Sequence, residues 1–348
     1  MSEADATSRQ AELRHWISQR HGIAPDALDL RLAADDASFR RYFRLTLDDG
    51  RRRILMDAPP DREAIIPFIT IARHWASAGL PVPRVHAVDE DAGFVELEDL
   101  GDTPLQRCLA GAEATTIESW HDQALCLLDS LQNRSRTDDL PAYDAELLGR
   151  ELDLFPTWCL DDWLALAPPH DWAVVRHRLI SMALAQPRVT VHRDYDAMNL
   201  MVVDDALHLI DFQDAVVGPL TYDLVSLLHG RYCRFTAERR RAWVEAFRQR
   251  AIDDGRLAPD VTADTFQEWA AGMATQRALK VLGIFVRLTR RDGRDGYLAR
   301  LPHFLNHLED ALAPLEELSD FRHWVSTTLR PALLARLERE GIGREAAT

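Results

Sequence analysis

One stretch of the chain, VTVHRDYDAMNLMVVDDALHLIDFQDA at 189–215, holds oxygen-bearing side chains at a spacing that suits phosphate chemistry. Asn199 and Asp211 each lie six residues from Asp205. Apolar runs at 200–203 and 207–210 flank the turn Asp204-Asp205-Ala206. A hairpin folded there sets Asn199 and Asp211 side by side at its open end. An amide oxygen and a carboxylate are hard ligands of the kind Mg²⁺ takes, one or two from protein and the rest from water and phosphate. Asp194, just upstream, is left to accept a hydroxyl proton and aim the oxygen at phosphorus. The competing reading is an Asn and an Asp that merely cap a hairpin, since both residues favour turns.

The elements that must position this loop follow from periodicity. Leu13, Trp16 and Ile17 share one face of a helix over 9–21. From 27 to 58 the chain alternates in short runs, and Asp48-Asp49-Gly50 turns FRRYFRLTL into RRRILMDAPP as a hairpin. A helix is expected over 61–78, started after Pro59-Pro60 and stopped at Gly79, then strands at 82–88 and 94–97. Beyond Leu100-Gly101 the pattern is helical. Trp120, Ala124, Leu127, Leu128 and Leu131 form a stripe, and helices are expected near 144–155, 171–186, 220–230, 236–253, 264–290 and 302–316. Only the island 189–212 is β-like. The fold class is therefore α+β and bilobal: a small antiparallel-sheet lobe at 1–100 and a mostly helical lobe at 101–348 that share a cleft.

Composition excludes several classes. The 348 residues are 47% hydrophobic, 28% charged and 8% aromatic, as in an ordinary globular protein. No run approaches the 18 or so apolar residues of a membrane helix, and the start MSEADATSRQ lacks a signal-peptide layout, so a cytoplasmic address is expected. The four cysteines, Cys108, Cys126, Cys159 and Cys233, form no CxxC pair and read as reduced thiols. A net charge of −15 argues against nucleic acid as a partner. Of 41 basic residues only Lys280 is lysine, and it follows leucine, so no P-loop exists; G-x-G-x-x-G is absent too.

HRDYDAMN followed by IDF resembles the catalytic and metal-binding loops of the protein-kinase-like superfamily, in its aminoglycoside and choline phosphotransferase branch. Together with ASFRRYFRL, FVELEDLG, IDFQDAVVGPLTYDLVSLL and LKVLGIF, the chain is similar to the cell-wall-recycling anomeric sugar kinases. The resemblance implies ATP and Mg²⁺ as cofactors and transfer to the C1 hydroxyl of N-acetylmuramate and N-acetylglucosamine. An aminoglycoside, choline or homoserine acceptor, or an inactive nucleotide-binding scaffold, are the alternatives. It implies Asp194 as catalytic base, Asn199 and Asp211 as metal ligands, and His192 and Arg193 as supports of the loop. Asp223 matches a bracing position, or is an ordinary carboxylate at a helix start. Glu96, Leu97 and Glu98 match the hinge whose backbone meets adenine. Ser38 falls where a phosphate-covering turn belongs, without glycine, its conformation resting on Asp35, Asp36 and Ser38. The lysine usual on the third strand is replaced by Met56, so Arg40, Arg41, Arg44 or Arg53 reaches the phosphates, or the metal carries their charge. Gln213 and Asp214 face the sugar or a second ion, or begin a solvated turn.

For the acceptor side, a helix at 271–290 carries Arg277, Lys280, Arg287 and Arg291 opposite a core stripe of Ala278, Val281, Leu282, Phe285 and Leu288. Arg277 and Lys280 are candidate contacts for the lactyl carboxylate of N-acetylmuramate, against the plainer reading of a solvated helix face. His303 and His307 lack the glutamate of H-E-x-x-H and read as structural. Trp158 and Trp163 are core anchors or a sugar platform. The expected partners are an amino sugar and ATP, with no nucleic acid and no membrane, acting on a monomer.

Overall fold

The computed structural model describes residues 3–35 and 39–343. It separates into two compact units, Met1–Asp102 with Met201–Gln213, and Thr103–Leu200 with Asp214–Thr348.

In the first unit, α1 (Glu3–His21) leads into β1 (Asp29–Asp35), β2 (Arg41–Thr46) and β3 (Arg52–Asp57), then α2 (Ile66–Ser77), β4 (Val85–Asp89) and β5 (Phe94–Glu98). The strands form one antiparallel sheet in the order β1-β2-β3-β5-β4. Phe43, opposite Leu55, joins Leu45, Leu47 and Phe94 in a core that α1 closes with Leu13 and Ile17, both fully buried. Gly50 turns β2 into β3 at φ 82°, a backbone state that glycine enters without a Cβ penalty. Helix α2 starts five residues later than the expected 61. Pro67 in its first turn has no N–H to extend the ladder backwards. Arg62 and Glu63 close a separate turn, both donating their N–H to the Pro59 carbonyl at 2.9 Å.

The second unit holds α3 (Leu105–Leu109), α4 (Ala114–Arg134), α5 (Ala145–Leu152), a π-helical segment (Phe155–Leu164), α6 (Trp172–Leu184) and β6 (Arg188–Val191). Next come β7 (Leu200–Val203) and β8 (Ala206–Leu209), a two-stranded hairpin that from Met201 counts with the first unit. After β9 (Val216–Pro219), antiparallel to β6, follow α7 (Tyr222–Leu228), α8 (Ala237–Asp253), α9 (Ala263–Arg290), α10 (Leu301–Leu312), α11 (Ser319–Trp324) and α12 (Arg330–Arg339). On α4 the buried face runs through His121, Ala124, Leu125, Leu128 and Leu131, so Trp120 and Leu127 of the expected stripe lie at its margin.

Helix α9 is the axis of this unit. Thr262 caps it, its Oγ1 accepting from the Thr265 N–H at 3.2 Å. Every residue from Ala270 to Gly283 is buried, as in a helix packed on all sides. Gly283 makes this possible on one side: a Cβ there would collide with the backbone of Leu154 and Phe155. No helix among the described residues is long and apolar enough to cross a membrane.

Candidate active site

The loop from β6 to β7 carries His192 to Asn199, and α7 holds its start. Asp223, in the first turn of α7 and fully buried, accepts from the His192 N–H at 2.6 Å and the Arg193 N–H at 3.1 Å. Burial pushes its carboxyl up to about 7, against the pull of those two backbone donors. Of the two readings for Asp223, the brace is the one with contacts. Arg193 sits at φ 73°, a conformation that is costly for a side-chain-bearing residue and persists only when its surroundings fix it.

Further along, Tyr195 is buried and donates its hydroxyl to the Ala124 carbonyl at 2.6 Å. Asp196 Oδ1 accepts from the Met198 N–H at 3.0 Å, and the Asn199 N–H donates to the Asp196 carbonyl at 2.9 Å. Asn199 Nδ2 donates to the Asp194 carbonyl at 2.9 Å. That bond uses the nitrogen end of the amide and leaves its oxygen as the group for a cation. The Asp194 side chain is exposed.

Behind Arg193 lies a buried charge network. Glu151 of α5 accepts from Arg193 Nη2 at 2.7 Å and from Gln276 Nε2 at 3.3 Å, with Lys280 Nζ at 2.8 Å and the Tyr143 hydroxyl also bonded to it. Lys280 donates in addition to the Tyr222 hydroxyl at 3.0 Å. Burial alone would raise the Glu151 pKa, but Lys280 and Arg193 outweigh it and hold the group at about 2. The same carboxylate keeps Lys280 and Arg193 above their ordinary values in spite of burial. Arg277 is buried as well, with Nη1 3.4 Å from the His229 carbonyl. The basic face expected on α9 is therefore divided: Arg277 and Lys280 are enclosed, the lysine held by Glu151, while Arg287 is half-buried and Arg291 exposed.

In the first unit, Asp211 follows β8 by two residues at φ 62°, and its Oδ1 accepts from Gln213 Nε2 at 2.7 Å. Phe212 beside it is fully buried, stacked on Phe68 at 5.1 Å and 5.3 Å from Trp75. The Leu209 N–H donates to the Pro81 carbonyl at 2.7 Å. Glu96 and Leu97 lie inside β5, each paired to β3 on one side and β4 on the other. The Glu96 carboxylate meets Arg20 and His21 at 3.1 Å and Arg53 at 3.4 Å. Glu98 still pairs with Arg53 across to β3 and donates its N–H to the Arg84 carbonyl at 2.9 Å. The first backbone past the ladders is that of Asp99 and Leu100, so the sheet itself occupies the stretch expected as hinge.

Met56 is fully buried on β3, opposite Tyr42 and Val95. The four arginines weighed in its place all meet carboxylates: Arg40 with Glu63 at 3.2 Å, Arg41 with Asp57, Arg44 with Asp99 and Asp102 at 2.7 Å, and Arg53 with Glu96. Ser38, with Asp36, lies outside the described residues.

Residues 29–260 match the model of the phosphotransferase enzyme family. The chain belongs to that family. An N-acetylmuramate/N-acetylglucosamine kinase of Neisseria meningitidis serogroup B is 38% identical over 89% of this phosphotransferase and 93% of its own length. Among solved structures, an ethanolamine kinase of Plasmodium vivax superposes with a TM-score of 0.61 at 10% identity, covering 88% of each chain. The ADP-bound aminoglycoside phosphotransferase APH(2'')-Ib does so with 0.58 at 14% identity, covering 87% of this phosphotransferase and 98% of that chain. These neighbours share the protein-kinase-like fold: an antiparallel N-terminal sheet followed by a mostly helical region.

Sequence reasoning missed Glu151, Tyr143, Tyr222 and Arg231. Glu151 had a signal: in AELLGREL it falls beside Leu148 and Leu152 on the buried face of α5, where an acid needs a partner. Arg231, in the connection from α7 to α8, had none, because its partner Asp196 is thirty-five residues away.

Proposed function

We propose that this phosphotransferase uses ATP to phosphorylate the anomeric C1 hydroxyl of N-acetylmuramate and N-acetylglucosamine. The observation that carries the reading is the 38% identity over 89% of the chain to a kinase named for those two sugars. The held loop supplies its chemical support. Asp194, exposed on a loop braced by Asp223 and Glu151, is the group that orients the acceptor hydroxyl and takes its proton. Asn199 and Asp211 flank the β7–β8 hairpin in the chain, and each carries a hard oxygen of the type that Mg²⁺ takes alongside phosphate and water. Bound there, the ion would neutralise charge on the transferring phosphate.

The chain's own residues do the rest. The Asn199 bond to the Asp194 carbonyl couples the ligand to the base, so both move as one loop. The strained backbone at Arg193 and Asp211 fixes side-chain direction before substrate arrives, which is the positioning on which phosphoryl transfer depends. Arg40, next to the stretch expected to cover the phosphates, is the arginine assigned to the role of the missing lysine. The adenine-facing backbone is assigned to Asp99 and Leu100.

The test is a coupled ADP-release assay with both amino sugars, followed by phosphorus NMR of the product. An anomeric phosphate on either sugar supports the reading. Turnover only with an aminoglycoside, choline or homoserine, or phosphate at C6, overturns it.

A further inference from the structure

The connection from α7 to α8 runs back to the loop that carries Asp194. Arg231 Nε donates to Asp196 Oδ2 at 3.0 Å, and Nη1 lies 3.4 Å from the Met198 sulfur. Both partners belong to the loop, two and four residues past Asp194. The guanidinium also lies 5.9 Å from the Tyr232 ring, whose hydroxyl is hydrogen-bonded by Arg300. Asp196 is buried, so it fixes Arg231 firmly, while the Arg231 side chain itself keeps 23% of its surface open and Asp194 and Met198 are exposed. Arg231 Nη2 has no partner among the described residues. Asp194 is near enough to help keep the guanidinium charged.

We propose that Arg231 is a specificity-determining residue that receives the lactyl carboxylate of N-acetylmuramate, an inference that rests on the amino-sugar reading above. A carboxylate brought toward Asp194 meets like charge and, in a chain of net charge −15, needs a local cation. The two cations first suggested by sequence do not supply it: Lys280 is buried against Glu151, and Arg277 is buried under the His229 carbonyl. Arg231 is fixed to the catalytic loop, still open to solvent, and has a nitrogen left over. N-acetylglucosamine carries a neutral hydroxyl where N-acetylmuramate carries the lactyl ether. A hydroxyl offers the guanidinium a single acceptor and no opposite charge, so N-acetylglucosamine forgoes the ion pair and the bidentate geometry that a carboxylate supplies.

The experiment measures kcat and KM of the full chain, with ATP and magnesium, for N-acetylmuramate, its methyl ester and N-acetylglucosamine. Arg231→Gln is expected to raise KM about ten- to a hundredfold for N-acetylmuramate and about threefold or less for the two uncharged sugars. Arg231→Lys should recover part of the loss. Equal losses on all three sugars, persisting in the Asp196→Asn/Arg231→Gln double variant that removes the orphaned carboxylate, would overturn the assignment. Equal losses that the double variant relieves for the uncharged sugars alone would support it. A wild-type chain that phosphorylates none of the three refutes the acceptor reading itself, a separate result.

Discussion

The ammonium of Lys280, the one lysine in 348 residues, lies 2.8 Å from the Glu151 carboxylate, and both side chains are buried. Arg193 reaches the same carboxylate from the β6–β7 loop at 2.7 Å. One acid on α5 thus ties α9 to the loop carrying Asp194, and neutralises two cations that burial would otherwise penalise. A buried pair of this kind adds little compared with apolar packing, but losing one member leaves an uncompensated charge.

Glu151→Gln is therefore expected to cost roughly 3–5 kcal/mol of unfolding free energy, and Glu151→Gln/Lys280→Met to recover a good part of it. Denaturant melts of the two variants decide this. In the wild type the Glu151 pKa is about 2, below the ordinary 4.5. Its contribution is thus complete above pH 4.5 and lost as pH falls toward 2, about 3 kcal/mol in total.

Asp194→Asn keeps the side-chain shape and removes the proton acceptor. Turnover should fall by about 10²–10⁴ while nucleotide affinity stays within a few-fold. The ADP-release rate and the Kd for ATP, measured on the same preparation, separate the two effects. Unaltered turnover would remove Asp194 from the mechanism.

Arg40→Met should raise KM for ATP about tenfold with a smaller change for the sugar, because a charge-assisted bond to phosphate is worth roughly 1.5–3 kcal/mol. Its partner Glu63 tests the assignment from the other side. Glu63→Gln removes the carboxylate of the ion pair and keeps the guanidinium, and its effect on KM for ATP should be the smaller of the two. Equal effects on both substrates would point to a role in folding of the sheet alone.

How much of this was legible beforehand depends on whether the determinant is local. The β7–β8 hairpin, the helix with Leu13 and Ile17, and α9 follow from short-range periodicity and turn residues, and the family resemblance rests on the same segments. The late start of α2 was legible in Pro67, but the place of Glu63 was not: its carboxylate accepts from the Phe39 N–H at 3.2 Å, twenty-four residues away, and no helical pattern reports that. Likewise β5 extends through Glu98 because β3 and β4 pair with it, which shifts the free backbone past the stretch that resemblance marked as hinge. Lys280 sits on the polar side of a helical wheel, and only the packing of α5 against its surroundings makes that side interior. Binary patterning reads charge as solvent-facing; buried ion pairs are where it fails.

Asp223 gives a slope of the opposite sign to Glu151. Its carboxyl is held near 7 in the fold by burial, above the ordinary 3.8, so the folded state binds the extra proton between those values. Stability from this group is complete below pH 3.8 and declines as pH rises to 7, by about 4 kcal/mol at most. Asp223→Asn abolishes that titration. The difference in unfolding free energy, wild type minus variant, should therefore fall steadily between pH 4 and 7 in urea melts. A constant difference across that range would show that the carboxyl titrates normally.

The histidines around Gly230 govern the acid side. His303 Nε2 and His307 Nε2 lie 2.9 and 3.1 Å from the Gly230 carbonyl and 3.0 Å from each other, and the His229 ring stands 5.1 Å from that of His307. Burial lowers the His229 pKa to about 3 and that of His307 well below its usual range, with neighbouring cations adding to the effect. Both stay neutral in the fold while the unfolded chain protonates them near 6.5, so stability is lost as pH falls below that value. His229 contributes about 2 kcal/mol of loss between pH 6.5 and 5, and His307 adds loss of the same sign. His307→Phe removes one titrating ring at the cost of its bond to Gly230. The variant should start less stable at pH 7.5 yet lose measurably less on going to pH 5 in denaturant melts. Parallel loss in variant and wild type would mean that His307 is protonated in the native state.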